Sequence, residues 1–465
     1  MTAAAAAGRD RLLDRALRLF APVRAGEGGT VLLMALNIFL LMTAYYVIKP
    51  VREALILAEW GAEAKIYASA GQALLLLGIV PLYSRLAGLL TVRRLITAVL
   101  VFFACCLVGF YGLAQLHVRL GIPFFLWVGI FNMMVVAQFW SFANDVYTPE
   151  QGKRLFALVG FGMSAGAVSG SSIAGALIEP LGVYQLMLLS AALLMASLGL
   201  TLVVAARRQR GAGPRDGATA GPDGAPAAAD RLSGRSGFAL VLRNRYLLLI
   251  GLMLVLANLV NTTGEYVLGA RVTADRQAAV PAVVRTAGMD DAAWAAAERD
   301  RAATVGRAIG GFYADFFSVV NLVGLLTQLF LVSRLVGWLG VRRALLVLPL
   351  IALGGYACMA AVPLLGVARW AKTAENATDY SLQNTVRNML FLPTTRDEKY
   401  QAKQALDTFF VRLGDVMAAL VVLGGTTALH LAPSGFALAN VGLAALWVLT
   451  ALAIGRRFRQ LTASA

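Results

Sequence analysis

Charged residues are scarce in this sequence. Of its 465 residues only 14% are charged, whereas 59% are hydrophobic and the mean hydropathy is +0.72. An average soluble domain is about 25% charged and about 45–50% apolar. The apolar surplus lies in stretches that a soluble core could not bury, so the composition excludes a cytosolic enzyme and most nucleic-acid-binding proteins. The net charge of +16 is better explained by basic residues that flank membrane spans than by a nucleic-acid partner.

Cysteine and histidine are also rare. Cys105, Cys106 and Cys358 lie within apolar stretches and form no CxxC pair, so they predict neither a disulfide framework nor a metal site. His117 and His430 are too few and too far apart for a zinc site or a catalytic triad. We therefore expect no enzyme activity and no cofactor.

Long apolar segments, in contrast, are abundant. A bilayer core about 30 Å thick requires roughly 20 apolar residues per helix, and the chain supplies about twelve such segments. The predicted spans are 29–49, 66–88, 95–116, 121–145, 154–178, 182–205, 245–268, 310–332, 343–365, 368–391, 405–430 and 435–455. The sequence thus predicts an all-α membrane protein with about 12 transmembrane helices.

Basic residues orient these helices. Residues 1–27 interleave arginine with leucine and predict a basic amphipathic helix on the cytoplasmic leaflet. With the N-terminus inside, the arginine and lysine clusters near 85–94, 153–154, 207–210, 334–343 and 456–459 all fall on the cytoplasmic side, as the positive-inside rule requires. We expect a multi-pass protein of the bacterial inner (plasma) membrane with both termini cytoplasmic.

A linker divides the chain. Residues 207–240 are rich in Gly, Ala, Pro and charge, which is typical of a flexible cytoplasmic segment. The linker separates an N-terminal bundle, 28–206, from a C-terminal bundle, 241–465, each predicted to have six helices. An extracytoplasmic insertion is expected at about 270–308, with a surface helix capped by Asp290.

The two halves share a repeat. Ser84–Leu95 reads SRLAGLLTVRRL and Ser333–Ala344 reads SRLVGWLGVRRA, with eight of twelve positions identical at an offset of 249. Residues 151–153 (QGK) and 401–403 (QAK) match at nearly the same offset. Such a duplication predicts two six-helix bundles related by a pseudo-twofold axis, an arrangement that resembles the major facilitator superfamily.

Polar residues inside the spans point to a cavity, because a charge at the bilayer centre costs about 2.5 kcal/mol or more. In the tenth helix Glu375, Asp379, Gln383 and Arg387 recur every fourth residue and are expected to form one polar stripe. This stripe would face a substrate cavity. The alternative is an internal ion pair of Arg387 that only holds helices together.

Two cations lie near the end of the first helix. Lys49 and Arg52 are three residues apart and can share a helix face unless Pro50 bends the chain. Two adjacent cations facing a cavity suit a phosphate or a carboxylate. The alternative is that both side chains snorkel to the outer headgroups.

Small residues form a ladder in the fifth helix. Gly162, Gly166 and Gly170 are spaced by four. The ladder lies within a span and lacks the GK[ST] ending of a phosphate loop. It predicts close packing of two membrane helices.

Several runs resemble the nucleotide transporter family of ATP/ADP translocases (ATP:ADP antiporters) of plastids and obligate intracellular bacteria. Residues 139–144 read FWSFAN and are similar to the family's FWGFAN signature. Residues 153–160, KRLFALVG, are similar to its KRFYxLFG run, and the segment from YSL at 380–382 to KQALD at 403–407 resembles its YSL…GKAAID segment.

The resemblance implies a major facilitator-like carrier that exchanges ATP for ADP or imports nucleotides. Four charged membrane residues matter in that family. Arg52 stands at the first lysine position and Lys403 at the last, whereas the fourth-helix glutamate falls near Val128. The seventh-helix glutamate falls on Asn261, with Glu265 one turn further on.

The leading hypothesis is a nucleotide transporter that works by alternating access around a central polar cavity. Its predicted substrate-binding residues are Lys49, Arg52, Asn261, Glu265, Glu375, Asp379, Gln383, Arg387 and Lys403. Its predicted cytoplasmic gate comprises Asn144, Asp145, Lys153 and Arg154, paired with Arg396, Asp397, Lys403 and Asp407 in the other half, together with Arg412.

Two other functions remain open. One is proton-coupled transport of another organic anion or drug on the same scaffold, which the two missing glutamates favour. The other is a non-transporting membrane sensor or assembly factor, in which the tenth-helix stripe would be fully paired and closed. The expected partners are the lipid bilayer and a small anionic substrate, a nucleotide first, with no nucleic acid and with a monomeric chain.

Overall fold

The fold is helical throughout the described part of the chain. In this computed structural model the described residues are 22–24, 27–211, 237–286, 289–395, 398 and 402–463. Most of the predicted N-terminal amphipathic helix and most of the predicted linker lie outside these residues, as do Arg396 and Asp397. No strand occurs among the residues described.

The described part of the first half forms six long helices. These segments are apolar and contain few helix-breaking residues, so they form long helices. Pro50 lies inside the first helix without ending it. The helices are α1 (Gly28–Glu59), α2 (Gly61–Leu89), α3 (Val92–Gln115), α4 (Gly121–Val146), α5 (Pro149–Leu181) and α6 (Gln185–Gly211).

The second half is interrupted more often. Among the described residues, π-helical turns at Thr327–Leu331, Asp379–Gln383 and Leu406–Phe410 lie between α-helical segments. The segments are α7 (Gly237–Arg243), α8 (Arg245–Ala279), α9 (Asp291–Leu326), α10 (Val332–Ala344), α11 (Val347–Ala361), α12 (Leu365–Thr378), α13 (Asn384–Met389), α14 (Lys403–Ala405), α15 (Val411–Thr427) and α16 (Pro433–Ala463).

Each of the twelve predicted spans coincides with a helix or with segments joined through a π turn. Among the described residues, 8 helices are long and apolar enough to cross a membrane by length and composition. The predicted fold class, an all-α membrane protein of about 12 transmembrane helices, is confirmed.

The connection predicted at about 270–308 is mostly helical. Helix α8 continues to Ala279, and α9 begins at Asp291 and runs into the eighth span. Asp290 caps α9, as predicted, because its carboxylate accepts a hydrogen bond from the Ala293 backbone N–H at 2.7 Å. The surface helix expected here is therefore the first part of a membrane helix.

The sequence repeat has a structural counterpart. Thr91 is the N-cap of α3, directly after the end of α2. Gly340, its partner in the second copy, adopts φ 68° and ψ 163° and breaks the helix before Val341. A positive φ is accessible to glycine at little cost. In both copies the chain thus turns at the same position, before the Val-Arg-Arg run that starts the next helix.

The chain comprises two compact units. Unit 1 holds the described residues of Met1–Leu55, Leu76–Asp223 and Gly310–Ser318. Unit 2 holds those of Ile56–Leu75, Gly224–Ile309 and Val319–Ala465. Each unit thus includes a short segment from the other half of the sequence. The predicted domain boundaries stay predictions.

The glycine ladder of α5 lies against α1 within unit 1. A Cβ atom added at Gly162, Gly166 or Gly170 would come within 2.4, 2.4 and 2.6 Å of the carbonyl oxygens of Ala35, Phe39 and Thr43, respectively. Only a residue without a Cβ allows two backbones to approach so closely. The predicted close helix packing is confirmed.

Candidate functional site

A buried lysine organises the polar centre of unit 2. Lys372 of α12 is fully buried. Its Nζ lies 2.9 Å from Glu375 Oε2 and donates a 2.8 Å hydrogen bond to Asn261 Oδ1 of α8. The same Nζ lies 3.7 Å from Glu265 Oε1. One ammonium group therefore joins two carboxylates and an amide on two helices.

Glu265 is shared by two cations. Its second oxygen, Oε2, lies 3.3 Å from the Nζ of Lys65 in α2, and Lys65 is itself buried. Asn376 Nδ2 donates a 3.3 Å hydrogen bond to Glu265 Oε1. Along the series Lys65, Glu265, Lys372 and Glu375 the charges alternate and cancel. We call these four residues the charge cluster.

A tyrosine hydroxyl forms a hydrogen bond with Glu375 of the charge cluster. The Tyr356 hydroxyl of α11 lies 2.8 Å from Glu375 Oε2 and 3.1 Å from the Val260 carbonyl oxygen. Gly264 makes room for it, because a Cβ there would come within 1.8 Å of this hydroxyl. Gly264 thus leaves the space that the Tyr356 hydroxyl occupies.

Pairing explains how these charges are tolerated. Isolated charges are very costly in an apolar interior, and removal of one partner of a buried pair leaves an uncompensated charge. In the charge cluster the two ammonium groups face the two carboxylates, and Asn261, Asn376 and Tyr356 supply additional hydrogen bonds. A movement that separates a lysine of the charge cluster from its glutamate therefore leaves a buried charge without its counter-charge.

A second network of hydrogen-bonded polar side chains connects α8 to α15. Asp415 is buried, and its Oδ1 accepts hydrogen bonds from Asn258 Nδ2 at 2.7 Å and Thr262 Oγ1 at 2.9 Å. Arg412 Nη1 lies 3.2 Å from Asp415 Oδ2. Arg412, predicted as a gate residue, therefore serves here as the partner of a buried carboxylate.

The four residues of the predicted tenth-helix stripe have different surroundings. Glu375 and Gln383 are buried, Arg387 is half-buried and Asp379 is exposed. A π-helical turn at Asp379–Gln383 lies within this stretch. Only Glu375 belongs to the charge cluster, and the substrate-binding role of the other three stays a prediction.

Lys49 lies in an aromatic cage within unit 1. Its Nζ is 3.9 Å from the ring centre of Phe317, 4.9 Å from that of Tyr46 and 5.9 Å from that of Tyr45. The side chain is 7% exposed. Ring faces attract an ammonium group electrostatically. Lys49 therefore points into the protein, against the alternative that it snorkels outward.

Arg52, one turn further along α1, is compensated by a carboxylate. Its Nη2 lies 2.5 Å from Glu53 Oε1, and Glu53 is buried. The guanidinium also lies over the Phe125 ring, 4.6 Å from its centre. An anionic substrate would have to compete with Glu53 for Arg52.

The predicted gate residues belong to both units and are described unit by unit, and their gating role stays a prediction. Asn144, Asp145 and Asp407 are exposed. Lys403 donates a 2.8 Å hydrogen bond to Asn388 Oδ1 and lies over the Phe391 ring. The side chain of Lys153 lies outside the described set.

Arg154 holds the segment before α1. Its two Nη atoms lie 3.1 and 2.9 Å from the two carboxylate oxygens of Glu27. Gln151 Nε2 donates to the same carboxylate at 3.2 Å. Gln151 and Thr148 also form the capping box that begins α5. The N-terminus of α5 is thus tied to the start of α1.

The Glu27–Arg154 pair predicts an acid-sensitive contact. The hydrogen bonds from Arg154 lower the pKa of Glu27 from 4.5 to about 2. Because the folded-state pKa is lowered, the pair stabilises the protein above pH 4.5 and is lost as the pH falls towards 2. We expect Glu27→Gln to lower the unfolding midpoint at pH 7 and to weaken its dependence on pH between 4.5 and 2.

Thermal unfolding in detergent at several pH values measures this effect. Glu150→Gln, which alters an exposed carboxylate in the first turn of α5, is the matched control. An acid-induced decrease that is equal in wild type and Glu27→Gln would contradict the role given to Glu27.

Sequence reasoning missed several members of the site: Lys65, Lys372, Tyr356 and Asp415. Lysine usage carries a signal, since only six of the 41 basic residues are lysine and two of the six are in the charge cluster. The i, i+3 spacing of Lys372 and Glu375 is a second signal. Tyr356 on α11 and Asp415 on α15 are distant in sequence from their partners on α8, and no pattern in the sequence singles them out.

Comparison with solved structures reveals the class of fold. The chain is similar to the nucleoside transporter NupG (12% identity, TM-score 0.59, covering 91% of this chain and 98% of that chain). It is also similar to the POT family transporter PepTSo (10% identity, TM-score 0.61, 93% and 98%). A third is a bacterial homolog to the human lysosomal transporter Spinster (15%, TM-score 0.55, 93% and 98%).

Neither the known protein-family models nor the curated proteins yield a match to this sequence. The similarity to solved structures extends over nearly the whole chain at low identity, and it defines the fold. The chain is a multi-pass, all-helical membrane protein with a major facilitator-like fold.

Proposed function

We propose that this chain is a transporter of a small organic anion, a nucleotide first, that works by alternating access. The observation that carries the proposal is the charge cluster on helices of a major facilitator-like fold. Charges inside membrane helices are expensive and generally serve substrate or ion movement. Glu265 lies between Lys65 and Lys372, at 3.3 and 3.7 Å, so it can stay paired with one cation while the other moves away.

Three observations support a nucleotide as the substrate. The runs at 139–144, 153–160 and 380–407 resemble the ATP/ADP translocases. Lys49, with Tyr45 and Tyr46 beside it, combines a cation with aromatic rings. A nucleotide carries the complementary groups, an anionic phosphate and an aromatic base. One similar structure is a nucleoside transporter, so a fold of this class accommodates a nucleobase.

The proposal assigns roles to the predicted residues. Lys49, Arg52 and Lys403 bind the anionic oxygens of the substrate, and Glu375, Asp379 and Arg387 serve as coupling or gating charges. The other predicted substrate-binding residues are Asn261, Glu265 and Gln383. The proposal also retains the expectations drawn from the sequence. These are a bacterial inner-membrane location, cytoplasmic termini, two six-helix bundles at 28–206 and 241–465, and no enzyme activity.

Lys403→Ala is expected to abolish uptake of labelled nucleotide by proteoliposomes that contain the purified protein. The reason is the loss of a half-buried ammonium group near Asn388 that we assign to the substrate phosphate. Lys403→Arg keeps the charge and is expected to keep measurable uptake. If Lys403→Ala transports as well as wild type, Lys403 does not bind the substrate.

A second function, proton-coupled transport of another organic anion, is favoured by the paired carboxylates Glu265 and Glu375. A carboxylate that loses its cation in an apolar interior tends to take up a proton. Uptake that a pH gradient drives in the absence of any counter-nucleotide would support this function. Uptake that requires nucleotide inside the vesicles would support exchange.

A further inference from the structure

An arginine-lined cleft lies at one end of unit 2, away from the charge cluster. It is an open cleft of about 570 Å³ where α7 meets α8 and where α16 ends. We name it the arginine cleft. Its lining residues are Ala239, Leu240, Arg243, Asn244, Arg245, Glu398 and Arg457.

The cleft is positively charged. It contains three guanidinium groups and one carboxylate. That carboxylate is already engaged, because Glu398 Oε1 accepts from Asn244 Nδ2 at 2.6 Å and its Oε2 accepts from the Thr395 backbone N–H at 2.9 Å. Among the described residues no carboxylate lies within 4.0 Å of the three guanidinium groups. Arg457 Nη1 donates a 2.9 Å hydrogen bond to Gln460 Oε1, and the other donors of its guanidinium group can still bind an anion.

The surrounding backbone adds to this potential. Asn244 is the N-cap of α8, and its Oδ1 accepts from the Tyr246 backbone N–H at 2.9 Å. Arg245 is the first residue of that 35-residue helix. The N-terminus of a long helix carries a partial positive charge and favours an anion beside it.

The cleft lies where membrane spans end. Arg245 begins the apolar span Arg245–Ala279, and Arg457 is near the end of the span Pro433–Thr462. A polar cleft at such a boundary is level with lipid headgroups. Leu248 and Leu252 follow Arg245 at i+3 and i+7, so they share its helix face, and both are exposed. This face thus presents an arginine above an apolar strip, which matches a phospholipid headgroup above its acyl chain.

We propose that the arginine cleft binds the phosphate group of an acidic phospholipid. Arginine forks match phosphate oxygens with paired hydrogen bonds. The same chemistry could bind free phosphate, but the exposed leucines beside Arg245 favour the lipid. The proposal is independent of the transported substrate, because the cleft shares no residue with the charge cluster.

Binding of short-chain lipids to the purified full-length chain in neutral detergent tests the proposal. Thermal stability is measured with phosphatidylglycerol, with phosphatidylcholine and with inorganic phosphate. We expect phosphatidylglycerol to raise the unfolding midpoint more than the other two compounds do. A shift of equal size with inorganic phosphate would overturn the lipid source, and equal shifts with both lipids would overturn recognition of an acidic headgroup.

Substitutions test whether phosphatidylglycerol binds at the arginine cleft. The triple variant Arg243→Gln, Arg245→Gln, Arg457→Gln is compared with the control Arg456→Gln, Arg459→Gln, which alters exposed arginines near the same helix end but outside the cleft lining. Each cleft arginine is expected to contribute about fivefold to the apparent affinity, since one basic residue near an acidic membrane surface contributes about 1 kcal/mol. The triple variant should bind phosphatidylglycerol about 100-fold more weakly.

Size-exclusion chromatography verifies that both variants are folded, and the single variant Arg245→Gln gives an intermediate affinity if the triple variant is unstable. The control should bind phosphatidylglycerol as wild type does. Retained binding in Arg245→Gln and in the triple variant, or an equal loss in the control, would overturn the proposed site.

Discussion

Lys372→Met is expected to lower the free energy of unfolding by about 3–5 kcal/mol, the range measured when one partner of a buried ion pair is removed. Lys372 is fully buried and contacts Glu375, Glu265 and Asn261. Methionine fills a similar volume, so the loss arises mainly from the charge. Glu375 would remain buried beside the Tyr356 hydroxyl without its ammonium partner. Thermal unfolding in detergent measures the stability, and uptake by proteoliposomes is expected to fall to background.

A double variant separates stability from transport. Lys372→Met with Glu375→Gln removes both charges of the pair and leaves Glu265 with Lys65. Replacement of a whole buried pair by neutral groups is often close to neutral in stability. We therefore expect the double variant to regain much of the lost stability and to remain inactive. If Lys372→Met alone is as stable as wild type, the charge cluster does not hold α8 and α12 together. If the double variant transports as well as wild type, the Lys372–Glu375 pair has no role in transport.

Gly166→Val is expected to impair folding strongly. A Cβ at residue 166 would lie 2.4 Å from the carbonyl oxygen of Phe39, and a backbone carbonyl cannot rotate away as a side-chain end can. Helices α1 and α5 would have to move apart, and overpacking typically costs about 1–3 kcal/mol and occasionally more. We expect little monodisperse protein after purification, and a clearly lower unfolding midpoint in what is recovered.

The same helix supplies the control for this substitution. Gly160 has no atom within 4 Å of the position that its Cβ would occupy. Gly160→Val therefore changes residue type, helix propensity and β-branching equally, without the clash. A wild-type yield and midpoint for Gly160→Val and a large loss for Gly166→Val are expected. Equal losses in the two variants would attribute the effect to valine in a helix and not to the close approach of α1.

Hydropathy and short-range spacing make much of the fold predictable from sequence. The spans are predictable because each needs about 20 apolar residues. The turn at Gly340 follows from the repeat that matches it with Thr91, and the close approach of α1 and α5 follows from the four-residue spacing of Gly162, Gly166 and Gly170. All of these features depend on residues that are neighbours along the chain or along one helix face.

The pairing inside the site is less predictable. The sequence places Glu265, Asn261 and Glu375 among the candidate residues, but the cation that joins them is Lys372. Which carboxylate a lysine selects depends on how α2, α8 and α12 pack, and hydropathy contains no information on that packing. Hydropathy and spacing do not predict the π-helical turn at Asp379–Gln383 either.

Uptake of labelled ATP by proteoliposomes containing the wild-type protein tests the central proposal most directly. Vesicles loaded with ADP, empty vesicles and empty vesicles with an imposed pH gradient are compared with protein-free vesicles. The account predicts uptake well above the protein-free background, fastest with ADP inside, and background uptake by Lys372→Met. Background uptake of ATP by the wild-type protein in all three kinds of vesicle would contradict the assignment of this chain as a nucleotide transporter.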